Sequence, residues 1–576
     1  MAPSSRAASH PTVNVGEGTY LGTHFPAEPG DYPRAVDAFY DIPYGTSTSG
    51  RNRFRRARVA EGPRLGEQRD ARKVGMGAPT TGGGWEDEGE REDCLNLQIY
   101  RTAGVESKAW KAGDGLLPIV LFFHGGMFNF GTSMARDLRS MVSWARTPMV
   151  VVAANYRLGV LGFLGGAQVH ALEHEASENY GDKGPGTLNA GIWDAMLALD
   201  WVSHNAEGFG GDEDNITLMG SSAGAHMVGH ILTVYAAASQ RPFRRAILES
   251  GAATARCVLS TVHPRTTEQF SAFLAAAGVR LAPVPELLDA LRELSVQELC
   301  AAAGKVWARD SPSLCWPFQP VVDGPRGLIW GAPSLAPRAD EVPAPAAPLL
   351  TGFCTHEGAL FVPREINSRA AFREFFTRLI PGGLTSADLD ELEALYPLPD
   401  DDGTVNASHW RRAEAVYAHW AYITPVLHSA HAACGAARVY EWAALSTPFG
   451  LACHTDSALG MTHEMQVLEG RAGLRAAAER MHAQVVEFAA GGEGEGCLGE
   501  WPAFVSPLGD GREPDGTPGR GRIMVFGKGN DELMHEVGGC RGTAWEVRDM
   551  TAHEIAACRF WWSRRHLSEG IHAQAG

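Results

Sequence analysis

The sequence predicts an α/β fold, a large and mostly parallel central sheet flanked by helices, on three observations. Continuous apolar runs at residues 118–123 and 149–153 read as central strands, since a strand exposed on one face would alternate. These strands alternate with segments of helical spacing, such as 188–204 with Ile192, Met196, Leu199 and Val202, which calls for parallel strands joined by crossover helices. Finally, residues 215–226, NITLMGSSAGAH, pass from a β-branched segment through a GxSxG box into a small-residue helix start. In that context the box marks a sharp strand-to-helix turn with Ser222 at its tip.

Taken in order, residues 1–12 are Pro, Ser and Ala without periodicity and predict a disordered start. Residues 13–20 and 35–40 read as edge strands or a hairpin. The stretch 45–84 is rich in Gly, Arg and Pro and reads as loop, with Trp85 standing out at its end. Residues 92–100 alternate with period two, as a half-buried strand does. The run 118–123 stops at His124-Gly125-Gly126-Met127-Phe128, and 149–153 leads into Asn155-Tyr156-Arg157. Residues 245–248 form a strand closing at Glu249-Ser250-Gly251, and 260–310 are Ala/Leu-rich and helical. A Pro/Ala linker from 331 leads to a strand at 348–353. Residues 363–430 are helical again, 437–442 are a strand, and 491–500 and 507–522 are loops. No internal repeat divides the chain, so 13–565 is expected to be a single domain with a C-terminal tail at 566–576.

Bulk properties narrow the function. With 44% hydrophobic and 20% charged residues, the chain has material for a large core. The 50 Lys and Arg against 67 Asp and Glu give a net charge of −17 without a concentrated basic tract, which argues against nucleic acid and against an anionic membrane surface. The opening residues lack the apolar segment of a secretory signal, and no run of about 18 apolar residues occurs, so no membrane anchor is expected. Ten cysteines are scattered without CxxC pairs or metal-ligand spacing, so neither a metal nor a cofactor is expected.

The GxSxG box asks for partners. Gly220 and Gly224 flank the serine where a tight turn leaves room only for hydrogen. A serine hydroxyl is a poor nucleophile at neutral pH, so it needs a histidine in reach, and that histidine needs a buried carboxylate to fix its tautomer.

The segments EDCLNLQIY, HGGMF, NYRLGVLGFL, WVSHNAEGFGGDEDNITLMGSSAGAH, AILESG, FQPVVDG and GFCTHEGALF appear in an order that resembles the type-B carboxylesterase/lipase family, which includes cholinesterases, fungal lipases and non-catalytic neuroligins. The resemblance covers roughly residues 13–565. It implies an α/β-hydrolase fold with helical insertions over the active site, and a Ser, Glu, His triad in that chain order. On this chain the triad falls on Ser222, Glu357 and His454, with His463 as competitor for the base. His356, beside the acid, reads as a spacer. The resemblance implies an oxyanion hole from the backbone of Gly126, Met127 and Ala223, with Gly125 allowing the turn. Phe128, Ser221, Phe361 and Trp85 are expected at the substrate, and Met127 is expected to narrow or line the acyl pocket.

Departures from the family matter as well. Thr455-Asp456 is an imperfect copy of the Gly and acidic residue that usually follow the base. Ser221 replaces a common glutamate, which removes a negative charge, so Trp85 reads as a packing or gorge-lining residue and not as part of a choline site. Cys94 matches half of a family disulfide but no cysteine precedes it, and Cys257 has no close partner, which points to a reducing, cytoplasmic location. The expected function is a serine esterase acting on a small-molecule ester. An acyltransferase or specialised metabolite-modifying enzyme would keep the same triad, whereas a neuroligin-like adhesion protein would have a broken one.

Overall fold

The computed structural model of the chain describes residues 10–16, 18–82, 91–104, 115–171, 186–236, 238, 240–281, 283–324, 327–329, 331, 347–398, 405–491 and 497–570. An 11-stranded sheet organises them. Its strands are β3 (Thr23–Phe25), β4 (Val36–Pro43), β6 (Asn96–Thr102), β7 (Leu117–Phe123), β8 (Val150–Ala154), β9 (Gly211–Ser221), β10 (Arg245–Glu249), β13 (Leu349–Cys354), β14 (Ala437–Trp442), β15 (Ile523–Lys528) and β16 (Thr543–Arg548). Their order across the sheet is β16-β15-β14-β13-β10-β9-β7-β8-β6-β4-β3.

Seven neighbouring strands from β8 to β15 are mutually parallel, and antiparallel strands close both edges. A three-stranded sheet joins β1 (Thr12–Val15), β2 (Gly18–Leu21) and β5 (Gln68–Asp70), and β11 (Leu259–Ser260) pairs with β12 (Val321–Val322). The first strand therefore starts at Thr12, inside the stretch expected to be disordered, and β5 lies inside the stretch expected to be loop.

Strand β7 shows why the sheet sits in the middle. All of its residues are buried, and they alternate between two cores: Ile119, Leu121 and Phe123 pack on one face, Val120 and Phe122 on the other. Period-two geometry sends alternate side chains to opposite faces, so an unbroken apolar run is what a strand covered on both sides requires. Helix α1 (Ala190–Asn205) and helix α2 (Ala223–Val234) cover the first face. The helix Ala472–Ala490 covers the second.

A third core lies apart from the sheet. It gathers Trp316, Phe372, Phe376, Trp410, Tyr417, Trp420 and Trp561 from the helical insertions and from the helix Ala552–Ser563. Met127, Cys257 and Phe361 pack against its edge, which makes it a wall over the carboxyl ends of the parallel strands. Ligands in open α/β sheets bind at those strand ends.

Candidate active site

Ser222 stands between β9, the middle strand of the sheet, and α2. Its backbone is held at φ 53° and ψ −118°, a conformation that a non-glycine residue adopts only when its surroundings impose it. Close packing imposes it here. A Cβ on Gly220 would stand 2.2 Å from the Gly224 carbonyl oxygen, and one on Gly224 would stand 2.1 Å from the Phe123 carbonyl oxygen of β7. The two glycines let strand and helix touch, and the Ser222 N–H donates to Glu249 O of β10 at 2.8 Å.

Two strands on, β13 ends at Cys354 and the chain places Glu357 fully buried. The next strand, β14, leads through a loop to His454. Ser222 Oγ lies 2.8 Å from His454 Nε2, and His454 Nδ1 bonds Glu357 Oε2. The carboxylate accepts the Nδ1 proton, which leaves Nε2 as the acceptor for the serine hydroxyl. The other oxygen, Glu357 Oε1, accepts from Ser250 Oγ at 2.6 Å and from the Cys354 N–H at 2.7 Å, so both carboxylate oxygens are held.

The loop that carries His454 depends on Asp456, whose Oδ2 accepts from the Cys453 N–H at 2.7 Å and from Ser446 Oγ at 2.6 Å. Burial pushes its carboxyl up to about 6, the charge on Glu357 pushes the same way, and the two hydrogen bonds pull against it. Thr455 sits at φ 68°, where glycine would be unstrained. The family's usual glycine at this place thus has a backbone reason.

His463 is elsewhere. It is buried against Trp144, with ring centroids 4.2 Å apart, and neither ring nitrogen has a partner among the described residues. Burial lowers its pKa to about 3. His356 turns to Glu414, with Nδ1 3.2 Å from Oε2.

The glycine box folds beside the serine. A Cβ on Gly125 would stand 2.9 Å from the Ser222 Cβ, and Gly126 takes φ 107°. Met127 and Phe128 follow at φ 57° and 60°. Their strain is held by side-chain amides: Asn129 Nδ2 and Gln319 Nε2 both donate to the Met127 carbonyl at 2.8 Å. Among the described residues the N–H groups of Gly126, Met127 and Ala223 donate to no backbone carbonyl. The Met127 side chain packs against the third core.

The expected substrate residues divide. Phe361 faces the site, with its ring centroid 5.0 Å from that of His454. Phe128 does not: the left-handed turn folds it into the core, 4.8 Å from the Phe163 ring and 5.9 Å from that of His226. Ser221 is also engaged away from a substrate, because Arg136 Nη2 donates to its hydroxyl at 2.8 Å. The same buried guanidinium pairs with Glu249 at 2.7 Å, and Ser221 lies beside Glu249 in the β9–β10 register. A carboxylate thus stands one strand over from Ser221, already neutralised. Trp85 lies outside the described residues.

Several neighbours of the site carry no motif. Tyr422 brings its ring to 4.5 Å from that of His454, from a π-helical turn at His419–Ile423. Ser250, Asn129 and Gln319 act through hydrogen bonds that only the fold creates. His226, one turn after Ser222, is buried, and burial together with the charge on Arg256 holds its pKa well below the usual histidine range. Cys94, Cys257, Cys300, Cys315, Cys354, Cys434, Cys453, Cys540 and Cys558 are free thiols.

Comparisons with known proteins follow the same lines. A profile described as the carboxylesterase family matches residues 9–441. Secreted lipase 4 of Gibberella zeae is 29% identical over 418 residues, 70% of this chain and 69% of its own. The inactive carboxylesterase-like protein VdtD of Byssochlamys spectabilis is 26% identical over 575 residues, 90% of each chain. The crystal structure of Aspergillus niger EstA shares the fold, with a TM-score of 0.74, 21% identity, and coverage of 98% of this chain and 99% of that one.

Proposed function

The chain belongs to the carboxylesterase family of carboxylic ester hydrolases, and from that premise we propose that it works through an acyl-enzyme on Ser222. The observation that carries the reading is the unbroken hydrogen-bonded chain from Ser222 through His454 to Glu357. Ser222 Oγ attacks the ester carbonyl while His454 Nε2 takes its proton, and Glu357 stabilises the imidazolium that forms. The oxyanion is received by the N–H groups of Gly126, Met127 and Ala223, where the amino end of α2 adds its positive dipole. His454 then protonates the departing alcohol. A water that gives its proton to the same nitrogen attacks the acyl-enzyme and releases the acid.

This reading favours a catalyst over a non-catalytic relative of the VdtD type, because every bond of the relay is present. Ser222→Ala is expected to lower p-nitrophenyl butyrate turnover by about 10⁴-fold or more with an unchanged melting temperature. Turnover equal to wild type would sink the assignment. Product analysis with competing alcohols separates transfer to water from transfer to another acceptor.

A further inference from the structure

A positive charge with no carboxylate partner among the described residues stands in the wall beside this site. Arg256, a short loop beyond β10, is only 8% exposed and sits in a left-handed backbone conformation at φ 61°. Its guanidinium lies 3.2 Å from the centroid of the Trp316 ring, and Nη2 donates to the Leu314 carbonyl at 3.1 Å. The Tyr417 and Tyr422 hydroxyls lie against the guanidinium, and no described carboxylate pairs with it. A buried cation without a counter-charge is costly, and neutral partners offset only part of that cost.

Among the described residues a polar atom nearby is left without a partner, the buried Nε2 of His226, while the buried Tyr417 hydroxyl lies against the Arg256 guanidinium. The cavity that Arg256 lines, about 50 Å³, also takes Arg265, Thr266, Gln269 and Gln319, and no described Asp or Glu lines it. That volume is room for a few waters or for a carboxylate with a short stem.

Two residues of the cavity, Gln319 and Trp316, reach the residues around the reaction centre. Gln319 is the residue whose amide holds the Met127 carbonyl, and Trp316 packs 5.4 Å from Phe361, which faces His454. His454 must protonate the leaving alcohol, so the alcohol departs on its side. The space behind the oxyanion loop is left for the acyl chain.

We propose that Arg256 determines specificity, and that the ester taken by this site carries a free carboxylate at the far end of its acyl chain, docked on the Arg256 guanidinium in the cavity that Arg265 also lines. The substrates are half-esters of short dicarboxylic acids, and the inference rests on the serine esterase reading. A guanidinium binds such a group with two charge-assisted hydrogen bonds, which a neutral chain cannot replace.

The test compares kcat/KM for mono-p-nitrophenyl esters of succinic, glutaric and adipic acids with p-nitrophenyl butanoate, pentanoate and hexanoate. Wild type is expected to favour at least one half-ester over the neutral ester of equal length by about tenfold or more. Arg256→Gln should reverse that ratio, and Arg256→Lys should recover only part of it. Free glutarate or adipate should raise the melting temperature of wild type and of Ser222→Ala, but not of Arg256→Gln.

A preference for neutral esters in wild type, with no dicarboxylate shift, overturns the proposal. So does an Arg256→Gln variant that loses activity on both ester classes equally, because a purely structural arginine predicts that. Failure of wild type on both classes sinks the esterase reading itself, whereas brisk neutral turnover without anionic preference sinks only this inference. Should Arg256→Gln not fold, the wild-type ratio and the melting shift still decide.

Discussion

Ionising Asp456 works against the fold, yet the loop that carries His454 is tied to that carboxylate. The folded group titrates near 6 because it is buried, while in the unfolded chain it titrates near its ordinary value of 3.8. Between those values the folded protein keeps a proton that the unfolded chain releases, so stability from this group is lost as pH rises from about 4 to about 6. Asp456→Asn retains an oxygen that accepts from both Cys453 N–H and Ser446 Oγ, which use a single carboxylate oxygen. Urea melts at a series of pH values are therefore expected to show the variant gaining on wild type across that window and running parallel to it above. Parallel curves throughout would remove the assigned role of burial. The residues of the relay were legible because each follows a strand in a short motif: GSSAG for Ser222 and THEG for Glu357. His454 was legible only against His463 as rival, and it is the hydrogen bond to Ser222 that separates them. Ser250, Gln319 and Arg256 left no signal, because their roles arise from contacts with residues far away in the chain.

At the scale of elements, the crossing of β7, β9 and the start of α2 is as tight as any contact beside the site. The Cβ of Gly224→Ala would meet a main-chain oxygen of β7, which cannot rotate away as a side chain would. The variant is expected to lose about 1–3 kcal/mol of stability and most of its activity, read by a urea midpoint and by ester turnover. A midpoint equal to wild type would show that the helix can slide. The central strands were legible for the reason that makes them central, since burial on both faces writes a continuous apolar run. The strands β15 and β16 were not read from the sequence. In β15 the run Ile523-Met524-Val525-Phe526 is too short to separate from a helical segment, and β16 is a half-exposed edge strand without alternation. The π-helical turn that aims Tyr422 at His454 has no periodic signature at all.

Across the whole molecule, two electrostatic scales oppose each other. The chain carries a net charge of −17, a field that slows the approach of an anion, whereas Arg256 acts only after the ligand has entered. Salt separates the two, because exposed charges are screened over about 30 Å at 10 mM and about 10 Å at 100 mM ionic strength, while a buried contact is screened much less. Raising NaCl from 10 to 100 mM should increase kcat/KM for the preferred half-ester and leave that of the neutral ester of equal length flat. Arg256→Gln should keep the same upward salt dependence at a lower level, since the repelling field belongs to the surface and not to the arginine. A fall in half-ester kcat/KM from the lowest salt onward would mean that local attraction by Arg256 and Arg265 outweighs the overall charge during approach. The distinction bears on how such a protein selects its substrate: an acidic surface slows all anions alike, and only an ester with its carboxylate at the right distance from the carbonyl regains the loss inside.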